Sequence, residues 1–421
     1  MKLAVVVQRY GQGVHGGAEL HARYIAEHLA HHTDVEVLTT CASDDATWAN
    51  TLKAGTETIN GVQVRRFRVS GRRNASAVSR LSERVFHQTH SLADELKWLD
   101  AGGPMSRSLV RHLRKHGDAY DFCLFFSYRY CHAYYGARAV PSRAILVPRA
   151  ERDEAIGLRV FRDVFRGARA ILYNSPEERS LIHAVAGNQQ VPGVVVGAGA
   201  DVPQNPQAGR FRQKHNIRGP FALYVGRIDA HSGCAELFDA FQHYASDSSS
   251  RLSLVVVGDG PLAVPKHPKI AHLGALEDGD KFDALAAAEA LVLPSRFESL
   301  SRTALEAWAL GKAVLANAKS DVLRGQCGRS NGGLVYQDRE EFSGMLQALD
   351  QNRWLSASLG QSGRQYVRDH YDWRIVERKY HEMLVQLQKA PPSHVMAPMP
   401  GWSARRRRDL EPAADVVRSL S

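Results

Sequence analysis

The stretch ALVLPSRFESLSRTALEAWALGKAVLAN, residues 290–317, carries the pattern that decides the fold. ALVLP (290–294) is a short unbroken apolar run, as in a strand buried on both faces. A polar loop follows, and a helical run then opens at Ser301, a favoured N-cap residue. It closes at Gly311, which is placed to end it. AVLAN (313–317) is a second buried strand. Strand, helix and strand in that order imply a parallel sheet with helices on its faces.

The alternation extends in both directions. LAVVV (3–7), VEVL (35–38), VRRFRV (64–69), DFCLFF (121–126), AILV (144–147), RAILY (169–173) and GVVVG (193–197) read as strands. Between them, GAELHARYIAEHLAHH (17–32) places Leu20, Tyr24, Ile25 and Leu29 at helical spacing. DVPQNPQAG (201–209) has the composition of a linker, after which FALYVG (221–226) and LSLVVVG (252–258) restart the pattern. The expectation is an α/β protein of two domains: residues 1–200, a linker over 201–215, and residues 216–370. A terminal helix over 371–389 is expected to pack back toward the first domain. The Pro-rich, basic stretch 390–421 is expected to be disordered. The default ligand site is a cleft between the domains, since open α/β sheets bind at the carboxyl ends of their strands.

Composition narrows the function classes. The chain is 44% hydrophobic and 23% charged, as in an ordinary globular protein. It has no apolar run of eighteen residues, so no membrane-spanning helix is expected. The apolar part of MKLAVVVQRYGQG is too short for a secretory signal and reads as a first buried strand. The five cysteines lack regular spacing, which fits reduced, buried thiols in a cytoplasmic protein. The formal charge is +10, residues 65–84 hold seven Arg against one Glu, and Arg405–Arg408 form a second run. That balance suits an anionic partner or a solvated basic face. Nucleic acid is not expected, because no binding motif accompanies the charge.

Within 290–317, Glu298 falls in the loop and Glu306 on the helix. Eight helical residues would separate two carboxylates by ~12 Å, beyond the roughly 5–9.5 Å of a glycosidase pair. The serines and free N–H groups at the helix start form an anion site suited to a diphosphate. The flanking carboxylates can accept hydrogen bonds from sugar hydroxyls. Two solvated helix acids would give the same spacing.

This stretch resembles the Glu-x7-Glu signature of the retaining glycosyltransferases of family 4, which have the GT-B fold: two Rossmann-like doubly wound domains facing a central cleft. The likeness includes GGAEL (16–20), YVGRID (224–229) and LVVVGDGP (254–261) and extends over most of residues 1–388. It implies a transferase that moves a sugar from a nucleotide diphosphate sugar to an acceptor hydroxyl, in cell-surface polysaccharide or glycolipid synthesis. It implies a sugar contact at Glu298, phosphate contacts at Ser299, Leu300 and Ser301, and a ribose contact at Glu306. Gly16 and Gly17 would approach the reaction centre, and Arg227 would clamp the diphosphate. Neither a metal nor a cofactor is expected. The first domain would bind a glycan or lipid-linked acceptor, with peripheral contact between the basic segment 65–84 and an anionic inner membrane face.

The chain departs from the family at two places. Ser232 stands where the family has a lysine that completes the diphosphate clamp, and Glu151 stands nearest a loop position that many relatives fill with histidine. Glu151 is either a catalytic group or a partner for Arg149 or Arg152. Ser232 and the altered loop keep open the reading of a nucleotide-sugar-binding protein of weak or no activity; a GT-B nucleotide-sugar epimerase, which shares the fold but not the whole motif set, is a second alternative. DGD (278–280) mimics a metal motif but sits where acids favour a helix start. His15, His21, His28, His31 and His32 lack metal-site spacing and read as surface helix residues.

Overall fold

The computed structural model describes residues 1–14, 16–247, 249–392 and 396–420; His15, one of the histidines weighed above, lies outside them. The chain divides into two compact units, Met1–Gly197 with Glu377–Ser421, and Ala198–Val376.

The first unit is built on strands β1 (Lys2–Val6), β2 (Asp34–Thr40), β3 (Gly55–Ile59), β4 (Val62–Phe67), β5 (Phe122–Phe126), β6 (Ala144–Val147), β7 (Ala170–Tyr173) and β8 (Gly193–Val195). They lie in the order β3-β4-β2-β1-β5-β6-β7-β8. Only β3 runs antiparallel, paired to β4 through the Asn60-Gly61 turn, where both residues have positive φ. The second unit holds β9 (Phe221–Val225), β10 (Ser253–Val257), β11 (Ile270–His272), β12 (Ala290–Leu293), β13 (Ala313–Asn317) and β14 (Gly333–Tyr336). All are parallel, in the order β11-β10-β9-β12-β13-β14. Both sheets are doubly wound, and the central strands are buried along their length because helices cover both faces.

The structure corrects several expectations. The stretch read as a linker contains a helix, Ala208–Lys214, whose Phe211 is fully buried beside Phe221, so it belongs to the second unit. The tail is not featureless. Met396 and Ala413 are buried in the core of the first unit, and short helices occupy Trp402–Arg406 and Ala413–Arg418. Gly157 makes room for the second of these helices: a Cβ there would lie 2.4 Å from the Ala413 carbonyl oxygen. On the Gly17–Leu29 helix the buried stripe is His21, Ala22, Ile25, Ala26 and Leu29, while Leu20 and Tyr24 are only half-buried. His21 is therefore a core residue, edge-on to Phe126 at 5.3 Å, and not a surface histidine.

The basic segment 65–84 is partly neutralised. Arg65 pairs with Glu36 at 2.7 Å, and Arg66 is buried between Glu57 and the Tyr10 carbonyl. All five cysteines are buried and free. Among the described residues, no helix is long and apolar enough to cross a membrane.

Candidate active site

The candidate residues of the second unit lie on loops leaving the carboxyl ends of β9 and β12, with Glu306 on the helix that follows the second loop. These strands are neighbours, and the winding reverses between them, because β9 continues to β10 on its other side. Loops that leave adjacent strands in opposite directions open a crevice for a ligand.

The loop after β12 ends in the helix Arg302–Ala309. The Ser301 hydroxyl caps it by accepting the Ala304 N–H at 3.4 Å. The Ser301 N–H is itself donated to Oε1 of Gln326 at 3.2 Å, so this expected phosphate donor is already engaged. The N–H groups of Ser299 and Leu300 have no partner among the described residues. Ser299 is fully buried, yet its hydroxyl lacks a hydrogen-bond partner among the described residues. Free N–H groups at the positive end of a helix are the kind of donors that an anion can pair with. Glu298 is half-exposed just before it. Glu306 is 5% exposed, and its Oε1 is held by Lys281 at 3.2 Å and Arg302 at 3.5 Å.

The loop after β9 is organised by Asp229. Its carboxylate pairs with Arg227 at 2.9 Å and accepts the Ser232 N–H at 2.7 Å. Arg227 is exposed, and the Tyr224 hydroxyl donates to its carbonyl at 2.7 Å. Gly233 follows in the left-handed region, φ 78°, and a Cβ there would lie 2.3 Å from the Pro294 carbonyl oxygen. The β9 loop therefore rests directly on the end of β12. The glycines of LVVVGDGP serve a similar packing role: Gly258 and Gly260 would bring a Cβ within 1.8 and 2.0 Å of the Gly226 and Ile228 carbonyl oxygens.

In the first unit Gly16 occupies the N-cap of the Gly17–Leu29 helix, with no side-chain cap. A Cβ on Gly16 would lie 2.2 Å from Glu19 Oε2, and one on Gly17 would lie 3.2 Å from Arg149 Nη2. Glu19 pairs with Arg9 at 2.7 Å. Arg149 adopts φ 52°, and its Nη1 is buried without a hydrogen-bond partner among the described residues. The structure thus brings Arg149 to the glycine turn, a residue that sequence reasoning had passed over in favour of Glu151. Glu151 is half-exposed, and its charge is one of several that act on Arg129. Burial works against the Arg129 charge, but Asp153, followed by smaller contributions from Tyr128, Tyr130 and Glu151, outweighs burial and holds its pKa above the usual value.

Two further titratable groups support these loops. The carboxylate of Glu178 accepts the N–H groups of Ala150 and Asn174, joining the ends of β6 and β7. His132 is buried with Nε2 against the Phe126 carbonyl at 2.7 Å, and burial holds its pKa down to about 4, so it is neutral.

The acids of DGD are dispersed into ion pairs, Asp278 with Lys281 and Asp280 with Lys214. Among the described residues, no cluster of His, Cys, Asp or Glu is arranged to hold a metal ion.

Residues 219–352 match the model of the family described as glycosyl transferases group 1. The chain is 29% identical over 205 residues to the lipopolysaccharide 1,2-N-acetylglucosaminetransferase of Salmonella typhimurium, covering 43% of this chain and 52% of that protein. It is 27% identical over 180 residues to the glycogen synthase of Thermus thermophilus, covering 41% and 40%. The chain thus spans about half or less of the length of the curated relatives it matches. Among solved structures, sucrose-phosphate synthase from Thermosynechococcus elongatus superposes with a TM-score of 0.68 at 16% identity, covering 92% of this chain and 99% of that one. The Anabaena protein HepE in complex with UDP-glucose gives 0.68 at 16% identity, covering 92% and 100%. The fold is GT-B, with two Rossmann-like α/β domains.

Proposed function

We propose that the protein is a retaining glycosyltransferase that moves a sugar from a nucleotide diphosphate sugar to an acceptor hydroxyl. The observation that carries this reading is the open helix start at Ser299 and Leu300. It is flanked by Glu298 and Glu306 and lies one strand from Arg227. An anion site beside two carboxylates suits a ligand that is part diphosphate and part polyol. The match of residues 219–352 to a glycosyltransferase family falls on this same unit.

In the proposed reaction the bond from the anomeric carbon to the diphosphate breaks and a bond to the acceptor oxygen forms. The acceptor proton leaves with the nucleoside diphosphate. Negative charge grows on the leaving group, where Arg227 and the helix start would stabilise it electrostatically, without a metal ion. Glu298 would hold the sugar hydroxyls and Glu306 the ribose, and Gly16 and Gly17 would offer backbone N–H groups beside Arg149. A glycan or lipid-linked acceptor, a place in polysaccharide or glycolipid synthesis and a cytoplasmic location are part of the same proposal. One relative's name, a lipopolysaccharide transferase, supports it.

A second reading, a nucleotide-sugar-binding protein without transfer activity, draws on the β9 loop. There Ser232 supplies no cation, and Arg227 is already paired with Asp229. The two readings separate on incubation with a panel of nucleotide sugars and extract-derived acceptors. Transfer releases nucleoside diphosphate only when acceptor is present. Binding without release supports the second reading, and epimerised donor without acceptor overturns both.

A further inference from the structure

Gln326 lies on the helix Asp321–Ser330, 25 residues from Ser301, and is fully buried. Its Oε1 accepts the Ser301 N–H. Only the carbonyl oxygen of an amide can accept an N–H, so this contact fixes which way the side chain points. The amide nitrogen, Nε2, is then left buried with no hydrogen-bond partner among the described residues. At the same helix start the hydroxyl of Ser299 is likewise buried without a partner. Buried polar groups are rarely left unpaired in a native structure, and two beside one helix N-terminus call for a common acceptor. An ammonium or amide ligand would bring more donors to a place already full of them. A phosphate oxygen brings only lone pairs and suits the positive end of the helix.

We propose that Gln326 binds the donor diphosphate, its Nε2 donating to a phosphate oxygen while its Oε1 holds the Ser301 N–H. This rests on the donor-site reading above and extends it to an element outside the 297–312 stretch. One side chain then does two things at once. It withdraws the Ser301 N–H from the phosphate and puts an amide N–H there instead, so the anion meets Ser299, Leu300 and Gln326.

The isosteric substitution Gln326→Glu separates these roles. It keeps an oxygen for the Ser301 N–H and replaces the phosphate donor by a negative charge. The full chain and its Gln326→Glu variant are titrated with UDP, GDP, ADP and dTDP, and with the nucleoside matching whichever diphosphate binds. The expected result is diphosphate affinity reduced tenfold or more with nucleoside affinity unchanged. Equal diphosphate affinity in the two proteins overturns the assignment and leaves Gln326 a packing residue. If no nucleoside diphosphate binds the unaltered chain, the donor-site reading itself is overturned and the Gln326 assignment with it. Should Gln326→Glu fail to fold, Gln326→Met decides the matter: diphosphate affinity falls while nucleoside affinity holds, or the assignment is wrong.

Discussion

The imidazole of His231 lies flat against the ring of Phe297, with ring centroids 4.6 Å apart and planes 9° from parallel. The contact joins the loop after β9, which carries Arg227, to the loop after β12, which carries Glu298. The seat of Gly233 on Pro294 joins the same two loops, and the ion pair of Arg296 with Glu236 ties the second loop to the helix that follows the first. Aromatic pairs contribute ~0.5–1.5 kcal/mol beyond burial. Phe297→Ala should therefore lower unfolding stability by about 1 kcal/mol in urea titration. Its larger effect should be a severalfold loss of nucleoside diphosphate affinity, because Arg227 and Glu298 lose their common support. Unchanged affinity in calorimetry would show that the remaining contacts fix the loops by themselves.

Ser232→Lys should tighten donor binding. The Ser232 side chain is half-exposed, beside Tyr224, while its backbone N–H is held by Asp229, so a longer side chain has open solvent to extend into. A hydrogen bond to a charged group is worth about 1.5–3 kcal/mol, or ~10–100-fold in affinity. Binding of UDP, GDP, ADP and dTDP to both proteins measures it directly. A variant that binds no tighter would mean that another cation already fills the place; Arg296 is the candidate, drawn to Glu236 at the start of the next helix.

The two glutamates of the opening stretch should fail differently. Glu298 is half-exposed on a loop, so Glu298→Gln should abolish turnover and leave thermal stability nearly unchanged. Glu306 is 5% exposed and neutralises Lys281 and Arg302. Glu306→Gln should cost roughly 1–3 kcal/mol of stability, because it leaves two cations facing an uncharged amide. Denaturant midpoints and turnover of the two variants, measured side by side, check the distinction. Equal stability loss in both would refute the assignment of Glu298 to a ligand-facing position.

How much of this was legible in the sequence depends on the range of the interaction. The central strands were legible because burial on both faces demands unbroken apolar runs, and AVLAN spans the observed β13. Strand β3 was not, because GTETI lies at the exposed edge of its sheet and needs no such run. Its available signal was the Asn60-Gly61 pair at the turn. The linker and tail were misread from composition, although single residues, Phe211 and Ala413, anchor them in cores. Within the site, Glu298, Ser299 and Glu306 share one short motif. Gln326 and Lys281 reach it from 25 residues away on either side, and no local pattern marks them. Arg149 faces the glycine turn from a left-handed backbone, a conformation that residue spacing does not reveal.

Burial pushes the Glu178 carboxyl up to about 7 from 4.5, although the Asn174 and Ala150 N–H groups pull it back. Folding therefore favours its protonated form, and its contribution to stability, full below about 4.5, is lost as pH rises toward about 7. Burial moves His132 the opposite way, from 6.5 down to about 4. Its contribution is full above 6.5 and is lost as pH falls toward about 4. Each shift is worth on the order of 3 kcal/mol, so the two slopes offset each other over the pH range they share. Glu178→Gln should remove the falling slope, and unfolding free energy should then rise with pH relative to the unaltered chain. His132→Gln should do the reverse. Urea unfolding of the three proteins from pH 4.5 to 7 measures both differences, and parallel profiles would show that neither group titrates differently in the folded chain.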